Sequence, residues 1–469
     1  MIECKLLFIV PTIGRQANTN FLYEFGPRPK DRQASRHLED IVLIQEDRMS
    51  FMSGAFLTYN DLTAVGSKIP GDALSTLETL ISPYDVCNLQ FTSGSTGNPK
   101  AAMLTHYNLI NNARFIGSRL VLTPSDILCC PPPLFHCFGL VLGLLTTFCA
   151  GASIIYPSSV FSPSAVLSVL ATEPCTALHG VPAMFDSILN YSPRPQNFSC
   201  PTLRTGIIAG SPVPRPLMRR LFDELGMREF TSSYGLTETS PTVFNALTSD
   251  SLSRRLTTVG RAMPHTHAKI VDRNGAIVPR GTRGELCIAG YALQRGYWRN
   301  PEKTAETMKT DEDGILWLHT GDEAVFDEHD YATITGRFKD IIIRGGENIY
   351  PLEIEDRLIT HGAIAGAAVV GIRDDRYGEV VGAFLKPSKG IPATKLPSLQ
   401  QLQAFTRQKL GWHKAPVHVF WLGNREVMIH EFPTTGSGKL QKHKLRSLGD
   451  RIVALRARGK STVEERSRL

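Results

Sequence analysis

Residues 91–100 read FTSGSTGNPK and follow the apolar run YDVCNLQ. The two Gly permit a tight backbone turn, the hydroxyl groups and amides can donate to phosphate oxygens, and Lys100 supplies a cation. The stretch predicts a phosphate-binding loop; taken by itself it also fits a plain surface loop. It is not a Walker P-loop, because G-x-x-x-x-G-K-S/T occurs neither here nor before Lys439, where Pro433 replaces the first Gly.

Four further stretches of the chain carry residues that suit nucleotide chemistry. Residues 233–241, SYGLTETSP, place an aromatic ring, a hydroxyl and a carboxylate close together. These groups can stack a base, bind a phosphate and hold Mg²⁺. The other three stretches are 319–322, HTGD; 336–351, GRFKDIIIRGGENIYP; and 433–446, PTTGSGKLQKHKLR.

The five motifs, in this order, closely resemble those of the adenylate-forming superfamily, which comprises AMP-forming acyl-CoA synthetases, adenylation domains and luciferases. The resemblance covers nearly the whole chain from Tyr84 onward. It implies that a carboxylic acid reacts with ATP to give an acyl-adenylate and pyrophosphate. The CoA thiol then gives an acyl-CoA and AMP, so the implied cofactors are ATP, Mg²⁺ and CoA.

The resemblance also implies roles for individual residues. Thr237 contacts the α-phosphate, Glu238 holds Mg²⁺ and Lys439 is catalytic. His136 matches an acyl-pocket position that changes place between the half-reactions; a satisfied core histidine is the alternative. The implied binding residues are Thr92, Ser93, Gly94, Ser95, Thr96, Gly97 and Lys100 in the phosphate loop; Gly210, Ser211, Pro212, Ser233 and Tyr234 in the two motifs around adenine; Asp322 and Arg337 at the ribose; and Gly345, Gly346 and Asn348 along the pantetheine channel.

The residue types agree with this chemistry. In adenylation, negative charge accumulates on non-bridging oxygens between two anions, so catalysis is mostly charge neutralisation and in-line positioning. Mg²⁺ on Glu238, the hydroxyl of Thr237 and the ammonium of Lys439 would meet that need. One more surface lysine in a basic tail is the alternative for Lys439, and a simple tight turn is compatible with Gly345-Gly346.

Alternating short β-rich and helical runs between residues 151 and 225 predict an α/β architecture with largely parallel sheets. From Thr258 shorter strands with turn signals predict a β-rich subdomain, and a compact α+β pattern follows. We therefore expect a large domain over residues 1–338 and a small mobile C-terminal domain over residues 339–469. The resemblance makes Lys339 the hinge between them, which lets one pocket run two reactions.

Composition excludes several classes of protein. The formal net charge of +7 is small for 469 residues, and the chain has no long Lys/Arg run, so we expect no nucleic-acid partner. The nine scattered Cys indicate reduced thiols in an intracellular compartment rather than a disulfide framework. Residues 134–156 are long and nearly uncharged, but lack Lys/Arg flanks and break at Ala150-Gly151. They predict a buried helix followed by a strand rather than a membrane span.

Residues 138–145 and 180–185 are expected to line the acyl site, and their aliphatic character favours a fatty or otherwise apolar acid. Two alternatives stay open: a stand-alone enzyme that loads a carrier protein in secondary metabolism, and a truncated non-catalytic homologue. The chain ends in Ser467, Arg468 and Leu469, close to the S-K-L peroxisomal address. This ending predicts a peroxisomal import receptor as partner and a peroxisomal location, or otherwise a cytoplasmic one.

The N-terminal part is expected to be shortened. Full-length members of the resembling family carry appreciably more residues before the phosphate loop, and CKLLFIVPTIG resembles a strand from the middle of their large domain. The five motifs that carry the active site all lie downstream of this segment.

Overall fold

The computed structural model of the chain describes residues 4–10, 12–13, 16–17, 37–44, 56–92, 99–196, 198–211, 213–435 and 439–466, without the side chains of 12–13, 16–17 and 457–466. These residues form two compact units. One is drawn from Met1–Asp85 with Ser158–Ser162, and the other from Val86–Pro157 with Pro163–Leu469. The five sequence motifs all lie in the second unit.

The first unit is built on a parallel sheet in the order β1-β4-β5. Leu38, Ile41, Leu43 and Phe56 form its core. Thr58 caps the first helix, because its hydroxyl accepts a hydrogen bond from the Asp61 amide. The elements are β1 (Leu6–Ile9), β2 (Thr12–Ile13), β3 (Gln16–Ala17), β4 (Asp40–Leu43), β5 (Leu57–Thr58), α1 (Tyr59–Gly66) and α2 (Gly71–Glu78).

The α/β part of the second unit confirms the predicted alternation of strands and helices. A parallel sheet has the order β10-β8-β9, and β11 pairs with β12 in parallel. The elements are β6 (Val86–Thr92), β7 (Lys100–Thr105), α3 (His106–Arg119), β8 (Ile127–Cys129), a π-helix (Phe138–Leu145), α4 (Thr146–Ala150), β9 (Ser153–Ile155), α5 (Pro163–Thr172), β10 (Ala177–Leu178), α6 (Pro182–Leu189), β11 (Ile207–Ile208), α7 (Arg215–Leu225) and β12 (Thr231–Gly235).

The apolar segment 134–156 folds as a helix followed by a strand, as predicted. The π-helix runs directly into α4, Gly151 ends α4 with a φ of +68°, and β9 follows. In the described part of the chain, no helix combines the length and the apolar character that crossing a membrane requires.

The predicted β-rich subdomain is a five-stranded antiparallel sheet. Its order is β15-β16-β18-β17, with β19 paired to β18, and its core includes Ile270, Leu286, Ile288 and Leu318. Before it, β13 (Thr242–Asn245) and β14 (Arg261–Ala262) continue the sheet of β11 and β12 in the order β11-β12-β13-β14, with α8 (Leu252–Thr257) between them. The elements of the subdomain are β15 (Thr266–Val271), β16 (Gly284–Gly290), α9 (Pro301–Thr307), β17 (Met308–Thr310), β18 (Leu316–Phe326) and β19 (Ala332–Arg337).

A separate mixed sheet follows the 3-10 helix Phe338–Asp340. Its order is β21-β20-β23-β22, and β24 pairs with β23 in parallel. The boundary at residue 339 stays a prediction, since the two compact units divide the chain elsewhere. The elements are β20 (Ile342–Arg344), β21 (Glu347–Ile349), α10 (Pro351–Ile359), β22 (Ile364–Asp374), β23 (Gly378–Pro387), α11 (Leu399–Arg407), β24 (His418–Trp421) and α12 (Lys442–Arg466).

Candidate active site

The two residues expected at the ribose lie opposite each other. Asp322 on β18 and Arg337 at the end of β19 are Cα partners, and Arg337 Nε lies 2.8 Å from Asp322 Oδ1. The Tyr234 hydroxyl donates to Asp322 Oδ2 over 2.7 Å, and burial together with this carboxylate raises the Tyr234 pKa well above its usual value. Asp322 Oδ1 accepts no aligned hydrogen bond from the described residues. This buried oxygen therefore meets Arg337 as an ion pair and keeps an unused acceptor position.

The HTGD segment that carries Asp322 is fixed by a neighbouring strand. His319 Nδ1 lies 2.9 Å from Glu285 Oε2, and the Gly321 amide donates to Glu285 Oε1 over 3.1 Å. The Asp322 amide donates to the Thr320 hydroxyl over 3.1 Å. Glu285 therefore holds the backbone on the N-terminal side of Asp322, and the sequence motifs gave no sign of it.

Thr237 and Glu238 occupy the 3-10 helix Thr237–Thr239, which connects β12 to β13. The Tyr297 hydroxyl donates to Glu238 Oε1 over 2.7 Å, and the Gln294 amide donates to the Glu238 carbonyl over 2.9 Å. Glu238 Oε2 accepts no hydrogen bond from any described residue. One anchored carboxylate with an available oxygen suits Mg²⁺, which prefers few protein oxygens together with substrate phosphates.

The two ends of the predicted phosphate loop are adjacent in space. Thr92 ends β6, Lys100 begins β7, and the two residues are Cα partners of this antiparallel pair. The Lys100 ammonium lies over the ring of Tyr297, 4.8 Å from its centroid. Between these ends, Ser93, Gly94, Ser95, Thr96 and Gly97 lie outside the described residues, so their predicted contacts with ATP stay predictions.

The charges of Arg337, Asp322 and Glu238 act on the side chain of Lys439. Burial and the nearby Arg337 guanidinium lower the pKa of Lys439 to about 8, although Asp322 and Glu238 act in the opposite direction. Its backbone is fixed to Thr435, whose hydroxyl accepts from the Lys439 amide over 3.1 Å and whose amide donates to the Lys439 carbonyl over 2.8 Å. The charges of the predicted metal carboxylate and of the predicted ribose-binding pair therefore act on the Lys439 ammonium.

The imidazole of His136 is influenced by the charge of Lys439. Burial and then the charge of Lys439 lower the pKa of His136, and its Nδ1 accepts a hydrogen bond from the Phe138 amide over 3.1 Å. Since Nδ1 is the acceptor, the proton of the neutral ring is on Nε2. His136 is thus a neutral donor next to a cation.

The remaining predicted binding residues lie on turns and strand ends. Gly210 has a φ of +89° shortly after β11, and the Ser233 hydroxyl donates to the Phe244 carbonyl over 3.2 Å. Gly345 and Gly346, with φ of +57° and +90°, form the two-residue turn between β20 and β21. Ser211 follows Gly210, Asn348 lies on β21, Lys339 is exposed on the 3-10 helix Phe338–Asp340, and Pro212 lies outside the described residues.

Side chains add further hydrogen bonds to the backbone of the π-helix that follows His136. A π-helix pairs each carbonyl with the amide five residues on, and the Val141 carbonyl accepts from the Thr146 amide in this way. The carbonyls of residues 141, 142 and 143 accept from Thr146 Oγ1 over 2.8 Å, from His179 Nε2 over 3.1 Å and from Thr147 Oγ1 over 3.0 Å. His179 Nδ1 accepts from the Ile207 amide over 3.2 Å, which leaves the ring proton on Nε2.

The chain matches two protein families in succession. Residues 3–298 match the AMP-binding enzyme family and residues 353–439 the AMP-binding enzyme C-terminal domain. Acyl-CoA ligase sidI of Aspergillus fumigatus is 58% identical over 464 residues, which cover 99% of this chain and 77% of that protein. The mitochondrial medium-chain acyl-CoA ligase ACSF2 of Bos taurus is 38% identical over 456 residues, which cover 95% and 71% of the two chains.

Solved structures agree with the fold. The anthranilate CoA ligase AuaEII in complex with anthranoyl-AMP aligns with a TM-score of 0.78 at 25% identity, covering 96% of this chain and 79% of that chain. ATP-bound MatB from Rhodopseudomonas palustris aligns with a TM-score of 0.74 at 28% identity, covering 87% and 79%. The predicted fold and the predicted use of ATP, Mg²⁺ and CoA are thereby confirmed.

Proposed function

Because this chain belongs to the AMP-binding enzyme family and is an ATP-dependent, AMP-forming acyl-CoA ligase, we propose that Lys439, Glu238 and the Asp322–Arg337 pair form its adenylation centre. One observation carries the proposal: Lys439 is close enough to Arg337, Asp322 and Glu238 for their charges to act on its pKa. Their mutual electrostatic influence supports one shared adenylation centre.

In the first half-reaction, a carboxylate oxygen of the acid bonds to the α-phosphorus, and the bond from phosphorus to the pyrophosphate oxygen breaks. Mg²⁺, when bound, neutralises charge on the phosphates. Glu238 would hold it through the oxygen that Tyr297 leaves available. Asp322 accepts from a ribose hydroxyl, Lys100 attracts the leaving pyrophosphate, and Lys439 attracts the oxygens on which charge develops.

In the second half-reaction, the CoA sulfur bonds to the acyl carbon, the bond from this carbon to the AMP oxygen breaks, and the thiol proton is released. We assign Lys339 as the pivot that withdraws Lys439 and brings in the Gly345-Gly346 turn. Gly at both turn positions leaves room for a narrow pantetheine arm to pass close to the backbone. Lys339 is exposed on a short helix between two sheets, which suits a pivot.

The acid is proposed to be apolar. The π-helix Phe138–Leu145 consists of Phe, Leu, Val and Gly, and it begins two residues after His136. The Bos taurus relative that shares 38% identity is named a medium-chain acyl-CoA ligase, which agrees with an aliphatic acid. We expect fatty acids to be activated in preference to amino acids and dicarboxylic acids.

Pyrophosphate release with a panel of fatty, aromatic and amino acids, with and without CoA, tests this proposal. Turnover with apolar acids that requires CoA is the expected result. Turnover only on addition of a carrier protein would identify the acceptor as a carrier, and release with amino acids alone would refute the apolar acid. Lys439→Ala should abolish adenylation far more than it slows thioester formation from supplied acyl-adenylate; equal losses would contradict the role of Lys439.

We propose separately that the enzyme is imported into peroxisomes through Ser467, Arg468 and Leu469. The proposal rests on the likeness of this terminal tripeptide to S-K-L, since these residues lie outside the described part of the chain. An N-terminally tagged copy should colocalise with a peroxisomal marker, and deletion of the last three residues should disperse it. Identical distributions of the two copies would refute the address and its import receptor.

A further inference from the structure

Tyr297 lies where the two oppositely charged groups proposed to handle the triphosphate come together. Its side chain is only 5% exposed. Its hydroxyl donates to Glu238 Oε1 over 2.7 Å, while the Lys100 ammonium lies 4.8 Å from the centroid of its ring. One side chain thus contacts the proposed metal carboxylate with its polar end and the proposed phosphate cation with its face.

The backbone around Tyr297 makes both contacts rigid. Tyr297 forms an antiparallel bridge with Ala102 on β7, and the Trp298 amide donates to the Ala101 carbonyl over 2.8 Å. Lys100 begins that same strand, so the backbone pairing connects the residue that carries the ring, Tyr297, to the strand that carries the ammonium. On the other side, the Gln294 amide donates to the Glu238 carbonyl over 2.9 Å. Segment 294–298 therefore holds both charged residues.

The hydroxyl determines how Glu238 presents its charge. A free carboxylate rotates about its terminal torsion, whereas a hydrogen bond to one oxygen leaves the other in a fixed direction. Burial and the charge of Glu238 raise the pKa of Tyr297 above its usual value, so the phenol stays a proton donor at neutral pH.

We propose that Tyr297 is a positioning residue for Mg²⁺-ATP, its hydroxyl orienting Glu238 and its ring holding Lys100. This inference rests on the proposed roles of Glu238 and Lys100. The structure gives the Tyr297 ring a cation–π contact and the hydroxyl a charge-assisted hydrogen bond, and the two can be removed one at a time. Tyr297→Phe removes only the hydrogen bond, whereas Tyr297→Leu removes both.

The test measures ATP binding by calorimetry in the absence of acid, so that no turnover occurs, at increasing Mg²⁺ and in EDTA. We expect Tyr297→Phe to raise the Mg²⁺ concentration for half-maximal enhancement of ATP binding about tenfold, the size expected for a hydrogen bond to a charged group. ATP binding in EDTA should be unchanged. Tyr297→Leu should weaken ATP binding in EDTA as well, because Lys100 loses its support.

Two controls separate orientation from general damage. Tyr291→Phe removes the hydroxyl of a half-buried tyrosine, which lies 3.2 Å from Asn112 Nδ2, and should leave the Mg²⁺ dependence unchanged. In a double-mutant cycle, Tyr297→Phe should add nothing in a Glu238→Gln background. Unchanged melting temperatures for the Phe variants would support a local effect.

A Mg²⁺ dependence of Tyr297→Phe equal to that of the unmodified enzyme would overturn the inference, as would an equal shift in the Glu238→Gln background. If Glu238→Gln alone shifts the Mg²⁺ dependence but Tyr297→Phe does not, the role of Tyr297 fails and that of Glu238 stands. If Glu238→Gln causes no shift, the proposed metal carboxylate itself is wrong, and the inference falls with it.

Discussion

Asp322 and Arg337 face each other on adjacent antiparallel strands, with Arg337 Nε 2.8 Å from Asp322 Oδ1. Asp322 is 3% exposed, so its charge requires this partner and the Tyr234 hydroxyl. Backbone pairing thus places a buried, paired carboxylate where the ribose is expected. A single hairpin of the β-rich sheet supplies both residues.

Asp322→Asn should weaken ATP binding about 10- to 100-fold, because an amide accepts a ribose hydroxyl less strongly than a carboxylate does. The measurement is KM for ATP, 2′-deoxy-ATP and 3′-deoxy-ATP. The unmodified enzyme should discriminate against at least one deoxy analogue, and Asp322→Asn should discriminate less. Asp330→Asn, at an exposed carboxylate in the turn between the same two strands, is the matched control. Undiminished discrimination in Asp322→Asn would refute the ribose contact.

The adenylation rate should fall as pH rises through about 8. Lys439 must carry a charge to attract the phosphate oxygens, and its pKa is lowered to about 8 by burial and then by Arg337. Because kcat/KM reports groups of the free enzyme, its alkaline limb for pyrophosphate release gives this pKa. Lys439→Arg should remove the limb, whereas Lys442→Arg, at a lysine paired with Glu355, should keep it. If the alkaline limb of the pH profile persists in Lys439→Arg, it reports the pKa of another titrating group.

The same pKa shift affects stability with a definite sign. Between pH 8 and 10.5 the unfolded chain binds more protons at Lys439 than the folded chain does. The free energy of unfolding therefore rises with pH in that window. Lys439→Met should lack this rise, and chemical denaturation at several pH values would detect the difference.

His136 should regain a more ordinary pKa when the charge of Lys439 is removed. Its pKa is lowered by burial first and by Lys439 second, so Lys439→Ala should raise it part of the way back. Proton–carbon NMR titration of the histidine rings measures this, with His136→Gln to assign the signal. Lys442→Ala is expected to leave the value unchanged, and no change in Lys439→Ala would place Lys439 too far from His136 for the proposed adenylation centre.

Gly139→Ala should destabilise the protein by about 1–3 kcal/mol, the usual cost of overpacking. A Cβ at Gly139 would lie 2.4 Å from the Pro133 carbonyl oxygen, and backbone does not move aside easily. Gly117→Ala in α3 is the matched control, since its Cβ would meet nothing closer than 3.6 Å, and it should be neutral or slightly stabilising. Equal melting temperatures for the two variants would contradict the tight contact.

The motifs in the sequence predicted the residues that we propose act directly on substrates. Tyr234, Glu238, Asp322, Arg337 and Lys439 lie far apart in the chain, and the structure brings them into one electrostatic environment. Their residue types carry recognisable chemistry, so a linear reading finds them. Alternation of strands and helices likewise predicted the parallel α/β part, because each element buries one apolar face.

Supporting residues were not predictable in this way. Tyr297 follows Gly296 and precedes Trp298, and nothing in that string indicates a partner 59 residues away. The segment 138–145 reads as an ordinary apolar helix, and nothing in it indicates that Thr146, Thr147 and His179 bond to its carbonyls. Such roles arise from tertiary contacts, which local propensity does not contain.

The side-chain support of the π-helix has a consequence for redesign of acid specificity. Donors at 146, 147 and 179 hold the backbone of residues 141–143, while His136 precedes this wall of the proposed pocket. A mutant library intended to accept new acids can vary Leu140 or Leu144, whose side chains make none of these bonds, and should leave the three donors unchanged. Randomising Thr146, Thr147 or His179 would remove these hydrogen bonds, and a resulting loss of stability could be mistaken for a narrow substrate range.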